Sequence, residues 1–80
     1  MKARVTIFYK DSVFDPQGNT IAKSLKQMGF NKVEDVRMGK VIDVTLNETD
    51  VASAEKDLKK MCDELLANPV IESYKFECMN

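Results

Sequence analysis

Few residues in this chain could do chemistry. General acid–base work would draw on the adjacent carboxylate pairs Glu34-Asp35 and Asp63-Glu64, and nucleophilic work on Cys62 or Cys78. Neighbouring residues point about 100° apart on a helix and to opposite faces of a strand, so neither pair is preorganised. The sequence contains no histidine, which excludes Ser–His–Asp and Cys–His systems, an imidazole base and His-ligated zinc. Cys62 has no base beside it in the sequence and reads as a structural thiol at the margin of an apolar stripe. Neither cysteine fits a metal-ligand spacing, so no metal site is expected. Both read as free thiols of a reducing cytoplasm, with a disulfide between them as the alternative. The remaining candidate is Arg37-Met38-Gly39-Lys40, two cations around a glycine, which could hold a phosphate or carboxylate. A solvated turn gives the same pattern.

The elements that position these residues follow from periodicity. Ala3 to Lys10 alternates with Ala3, Val5, Ile7 and Tyr9 on one face and Phe8 among polar residues on the other, which predicts a strand. Asp15-Pro16 reads as an N-cap with proline at the first helical position. The helix then runs to about Met28 with Ile21, Leu25 and Met28 inward, and Gly29 as its left-handed stop. Gly18 in the first turn costs helix stability and marks either close approach of another backbone, an anion, or a tolerated frayed end. From Asn31 to Asn47 the chain reads as a hairpin turning at Met38-Gly39-Lys40, or as one long strand bent at Gly39. Thr49 or Asp50 caps a second helix with Val51, Ala54, Leu58, Met61 and Leu65 inward, stopped by Ala67-Asn68-Pro69. Val70 to Cys78 alternates as a last strand.

This order predicts one α+β domain over residues 1–80, a ferredoxin-like β-α-β-β-α-β fold. It has a four-stranded antiparallel sheet with both helices on one face. Phe8 and some of Val36, Val41 and Ile71 then fall on the uncovered face, where an apolar patch on so small a domain points to dimerisation or docking. The third strand lacks the aromatics an RNA-recognition module stacks on bases, and the first connection lacks the glycine-rich arginine loop of an acylphosphatase.

Eighty residues, 44% hydrophobic and 31% charged, suit a thin-cored globular domain. The net charge of −1 conceals an asymmetry: eight Lys or Arg stand against four Asp or Glu in residues 1–40, and four against nine in residues 41–80. Such a division can orient a contact, though solvated faces also produce it. A pI near 5.3 and the absence of a basic stripe argue against nucleic acid. With no apolar run of membrane-spanning length and a strand beginning almost at Met1, the expectation is a complete, untargeted cytoplasmic chain with no membrane association.

Asp15-Pro16-Gln17-Gly18, Gly29-Phe30, Val36 to Lys40, Met61-Cys62, and Leu65 to Glu72 with Tyr74 closely resemble the PurS family, the small subunit of phosphoribosylformylglycinamidine synthase. The resemblance spans essentially the whole chain. Met28, where the family tends to have leucine, and the Glu77–Asn80 tail depart from it. The resemblance implies a non-catalytic, homodimeric subunit that bridges a glutaminase and a large ATP-dependent synthetase and supports ammonia transfer between them. The complex uses ATP, Mg and glutamine, and this chain binds no cofactor itself. Site candidates are the loop and turn residues that core packing does not explain. They are Asp15, Gln17 and Gly18 at the first helix start, Arg37, Gly39 and Lys40 at the turn, and Asn68, Pro69 and Glu72 after the second helix. The rival reading is an ACT-like regulatory domain binding a small molecule between paired subunits.

Overall fold

The structure, a computed structural model, describes residues 1–79. β1 (Lys2–Tyr9) leads to α1 (Pro16–Gln27), β2 (Gly39–Thr45), α2 (Val51–Met61) with a π-helical continuation over Cys62–Leu66, and β3 (Glu72–Met79). The sheet has the order β2-β1-β3, with β1 antiparallel to both neighbours. Val5 stands opposite Ile42 on one side and Phe76 on the other. The pleat therefore gathers Ala3, Val5 and Ile7 with Ile42, Val44, Tyr74, Phe76 and Cys78 on one face. α2 lays Ala54, Leu58 and Cys62 on that face, and all three are fully buried with Ala3 and Val5. Each fully buried Val, Ile or Leu contributes about 1.5–3 kcal/mol, so Val5, Ile7 and Leu58 carry much of a small core. Both cysteines are free.

The sheet has three strands where the sequence reading expects four, and the ferredoxin-like order is corrected to β-α-β-α-β. Residues 33–38, expected as the first arm of a hairpin, pair with no strand. Their backbone is engaged by the start of α1 instead, where the Asp15 carboxylate takes the N–H of Met38. Met38-Gly39-Lys40 is accordingly no hairpin turn: Gly39 and Lys40 open β2, opposite Phe8 and Ile7.

The expected pair of helices on one face is likewise corrected. α2 alone covers the sheet, and α1 makes almost no contact with the strands or with α2. The molecule measures 49 × 27 × 14 Å with a radius of gyration of 16.1 Å, against about 12 Å for a compact chain of this length.

Both helices begin, and α1 ends, as their residues dictate. Asp15 and Asp50 are the N-caps, accepting from Gly18 and Ala52. Gly29 takes φ +100°, and Phe30 N–H returns to the Leu25 carbonyl at 3.0 Å, closing a Schellman motif. In α2 the regular stripe breaks at the π-helical turn. A wider turn rotates the following residues, so Leu65 is 82% exposed while Cys62 and Ala67 are buried.

Candidate functional site

The C-terminal end of β1 is where the loop residues meet, and Lys10 is their hub. Its backbone N–H donates to the Ile71 carbonyl at 2.9 Å, and its Nζ donates to the Pro69 carbonyl at 2.7 Å. Its own carbonyl accepts from Arg37 Nη2 at 3.0 Å, and the same nitrogen donates to the Val13 carbonyl at 2.7 Å. β1, the segment before β2 and the turn before β3 are thereby tied at one point.

Asp15 forms a second tie on the α1 side. Its carboxylate is buried and accepts from Gly18 N–H at 2.9 Å and Met38 N–H at 2.5 Å. Those two backbone donors hold the carboxyl below the ordinary aspartate range, since they stabilise the charged form. Of the alternatives for Gly18, the structure selects backbone approach: a β-carbon there would collide with the Val36 carbonyl.

A third tie orders the turn before β3. Asn68 N–H donates to Glu72 Oε1 at 2.7 Å, Glu72 N–H donates to the Asn68 carbonyl at 2.7 Å, and Val70 N–H donates to Asn68 Oδ1 at 3.0 Å. Glu72 Oε2 faces Lys40 Nζ at 3.8 Å, joining β3 to β2 across β1. Between them opens a cleft of about 180 Å3 lined by Tyr9, Gln17, Met38, Gly39, Lys40 and Glu72.

All nine predicted site residues therefore cluster around this end of the sheet. Arg37 serves two carbonyls, and Lys40 faces a carboxylate. Of the predicted dimer-face residues, Phe8 and Val41 stand on the uncovered side of the sheet, 39% and 58% exposed. Val36 and Ile71 lie outside the strands. That face is more polar than expected, for Arg4 donates two hydrogen bonds to Asp43 across it at 2.9 and 3.2 Å. Lys10 and the carbonyl of Val13 escaped the sequence reading, because nothing local marks a residue whose partners lie 59 positions away.

A separate polar set joins α2 to β3. Tyr74 Oη donates to Asp63 Oδ1 at 2.6 Å and Lys59 Nζ donates to Asp63 Oδ2 at 2.9 Å. The Tyr74 hydroxyl, bonded to a carboxylate, is pushed above the ordinary phenol range, and Asp63 is lowered. Burial pushes the Cys62 thiol up, which opposes nucleophilic use. Among the described residues no group of three or more His, Cys, Asp or Glu could hold a metal ion, and no described helix is long and apolar enough to cross a membrane.

The geometry is that of a small α+β protein whose converging polar groups hold backbone rather than face a reaction centre. The PurS family, described as phosphoribosylformylglycinamidine (FGAM) synthase, matches residues 2–80, and the chain belongs to it. A Synechocystis phosphoribosylformylglycinamidine synthase subunit PurS is 46% identical over 74 residues, covering 92% of this chain and 74% of the relative. The crystal structure of Bacillus subtilis PurS superposes with a TM-score of 0.85 at 40% identity, covering 99% of this chain and 98% of the other. A chain in the structure of PurLQS from Thermotoga maritima matches with a TM-score of 0.85 at 34% identity, covering 95% and 93%.

Proposed function

We propose that this chain is the PurS subunit of FGAM synthase in purine biosynthesis, acting by assembly and without chemistry of its own. It bridges the glutaminase and the ATP-dependent synthetase in the cytoplasm, so that ammonia released at one site reaches the other. Free ammonia in neutral water is protonated and lost as a nucleophile, so docking two sites around a sealed path is itself the contribution to rate. ATP, Mg and glutamine are handled by the partner chains.

The observation that carries this reading is the match to the PurLQS chain over 95% of the molecule. An open shape supports it. β2 and β3 are both free sheet edges, and α1 exposes Ile21 and Met28 at 37% and 70%. A thin core with such edges suits a chain completed by others, including a second copy in a homodimer.

Sedimentation of the three chains from one organism tests the proposal. The expected result is a ternary complex that forms only when this chain is present, with two copies of it per complex. Association of glutaminase and synthetase that is equally tight without it would overturn the reading.

A further inference from the structure

Lys40 and Glu72 reach one cleft from opposite sides of β1. Lys40 stands opposite Ile7 on β2 and Glu72 opposite Tyr9 on β3, so the pleat puts both on the sheet face that carries Ile7 and Tyr9. Phe8, Met38, Gln17 from the first turn of α1, and Gly39, which adds no side chain, complete the lining. The cavity measures about 180 Å3, below the roughly 300 Å3 at which pockets begin to take drug-sized molecules. Its size suits a ligand of only a few heavy atoms.

The two charges do not satisfy each other. Lys40 Nζ and Glu72 Oε2 are 3.8 Å apart, beyond hydrogen-bond reach, and so long a pair with an exposed lysine contributes little to stability. Glu72 does its structural work through Oε1, which takes the Asn68 N–H at 2.7 Å. Among the described residues no donor is hydrogen-bonded to Oε2, although the Glu72 side chain is only 15% exposed. A carboxylate so far withdrawn from water, with a spare oxygen turned to a cation it does not touch, is a place for a donor between them.

The spacing selects the ligand. An anion is repelled by Glu72 and a cation by Lys40, so the pair takes a neutral group that accepts on one side and donates on the other. In a primary carboxamide the oxygen and nitrogen sit on one carbon, about 2.2 Å apart. With a hydrogen bond of about 2.9 Å at each end, the two contacts need splay by only about 15° to span the gap. We propose that this cleft binds a small primary carboxamide: Lys40 donates to its oxygen, Glu72 Oε2 accepts from its NH2 group, and Phe8 and Met38 flank its alkyl part. The site belongs to this chain alone and does not depend on the assembly role.

Titration of the full chain with propionamide, followed by proton–nitrogen NMR of the backbone amides, tests the site. The expected result is saturable shifts centred on Tyr9, Gly39, Lys40 and Glu72, with a Kd of about 1–10 mM, a range open to so few atoms. N,N-Dimethylpropionamide accepts but cannot donate, and propionate carries the wrong charge for Glu72; each binds at least about tenfold more weakly. K40M removes the donor, and E72Q replaces the Oε2 acceptor while leaving an oxygen for Asn68. Each lowers the affinity for propionamide about tenfold with the rest of the spectrum retained. K40M, at an exposed position, carries the measurement if E72Q does not fold. No saturable shift up to about 100 mM propionamide, equal binding of the dimethyl amide or of propionate, or an unchanged affinity in K40M would overturn the proposal. Tighter binding of glycine than of propionamide would also overturn it, in favour of a zwitterion. A chain that fails to join its partners leaves every one of these outcomes unaffected.

Discussion

Gly18 and Val36 meet backbone to backbone. A β-carbon built on Gly18 would overlap the Val36 carbonyl oxygen and lie 2.8 Å from Asp15 Oδ2. Neither neighbour is the end of a flexible side chain free to move aside, since the Asp15 carboxylate is held by two N–H groups.

Gly18→Ala should therefore destabilise the protein by about 1–3 kcal/mol through overpacking, despite the better helix propensity of alanine. Gly29 supplies the contrast. Nothing lies within 4 Å of its β-carbon position, but its φ of +100° disfavours any L side chain. Gly29→Ala should cost about 1–2 kcal/mol for conformation alone. Urea denaturation of the two variants measures both. A neutral Gly18→Ala would refute the close approach.

Leu58→Ala removes the centre of the contact between α2 and β1, where Leu58, Val5 and Cys62 are fully buried. The expected cost is about 2–5 kcal/mol, in a domain whose whole stability is about 4–12 kcal/mol. Thermal unfolding followed by circular dichroism should show a lowered midpoint or no folded baseline. Leu65→Ala, at an exposed position in the π-helical turn, should leave the midpoint nearly unchanged.

Asp15 links stability to acid. Its carboxyl is lowered in the folded protein by the Gly18 and Met38 N–H groups, so its contribution is present above the unfolded aspartate pKa and is lost as pH falls through the folded value. The difference in unfolding free energy between wild type and Asp15→Asn should be largest near neutrality and shrink as the pH falls below the ordinary aspartate range. A difference independent of pH would mean that the carboxylate charge is not what the two amides select.

Tyr74 should titrate above the ordinary phenol range because its hydroxyl donates to the Asp63 carboxylate. Ultraviolet titration in a Tyr9→Phe background isolates it. Asp63→Asn should move the transition down toward the ordinary value, and an unmoved transition would show that the bond does not form.

The elements were legible where their signals are local. Asp15-Pro16 and Gly29 bound α1, Asp50 caps α2, and alternation marks β1 and β3 to within two residues. The expected hairpin fails because the apolar spacing of Val33, Val36 and Met38 resembles a strand, but strand pairing depends on a partner that sequence does not name. Asp15, 23 residues earlier, takes the Met38 N–H. Periodicity also assumed a regular α2, and the π-helical turn moved Leu65 outward. The candidate site residues are loop positions that packing leaves unexplained, and the ties of Arg37 and Pro69 to Lys10 are long-range and visible only in the fold.

The most direct test of the central claim compares two nitrogen sources. Glutaminase and synthetase are mixed with and without this chain, and amidine formation is followed with glutamine or with an ammonium salt. The account predicts that the chain raises the glutamine-supported rate by at least about tenfold, as lost ammonia is recovered by docking, and leaves the ammonium-supported rate unchanged. Equal glutamine-supported rates in both mixtures would contradict it.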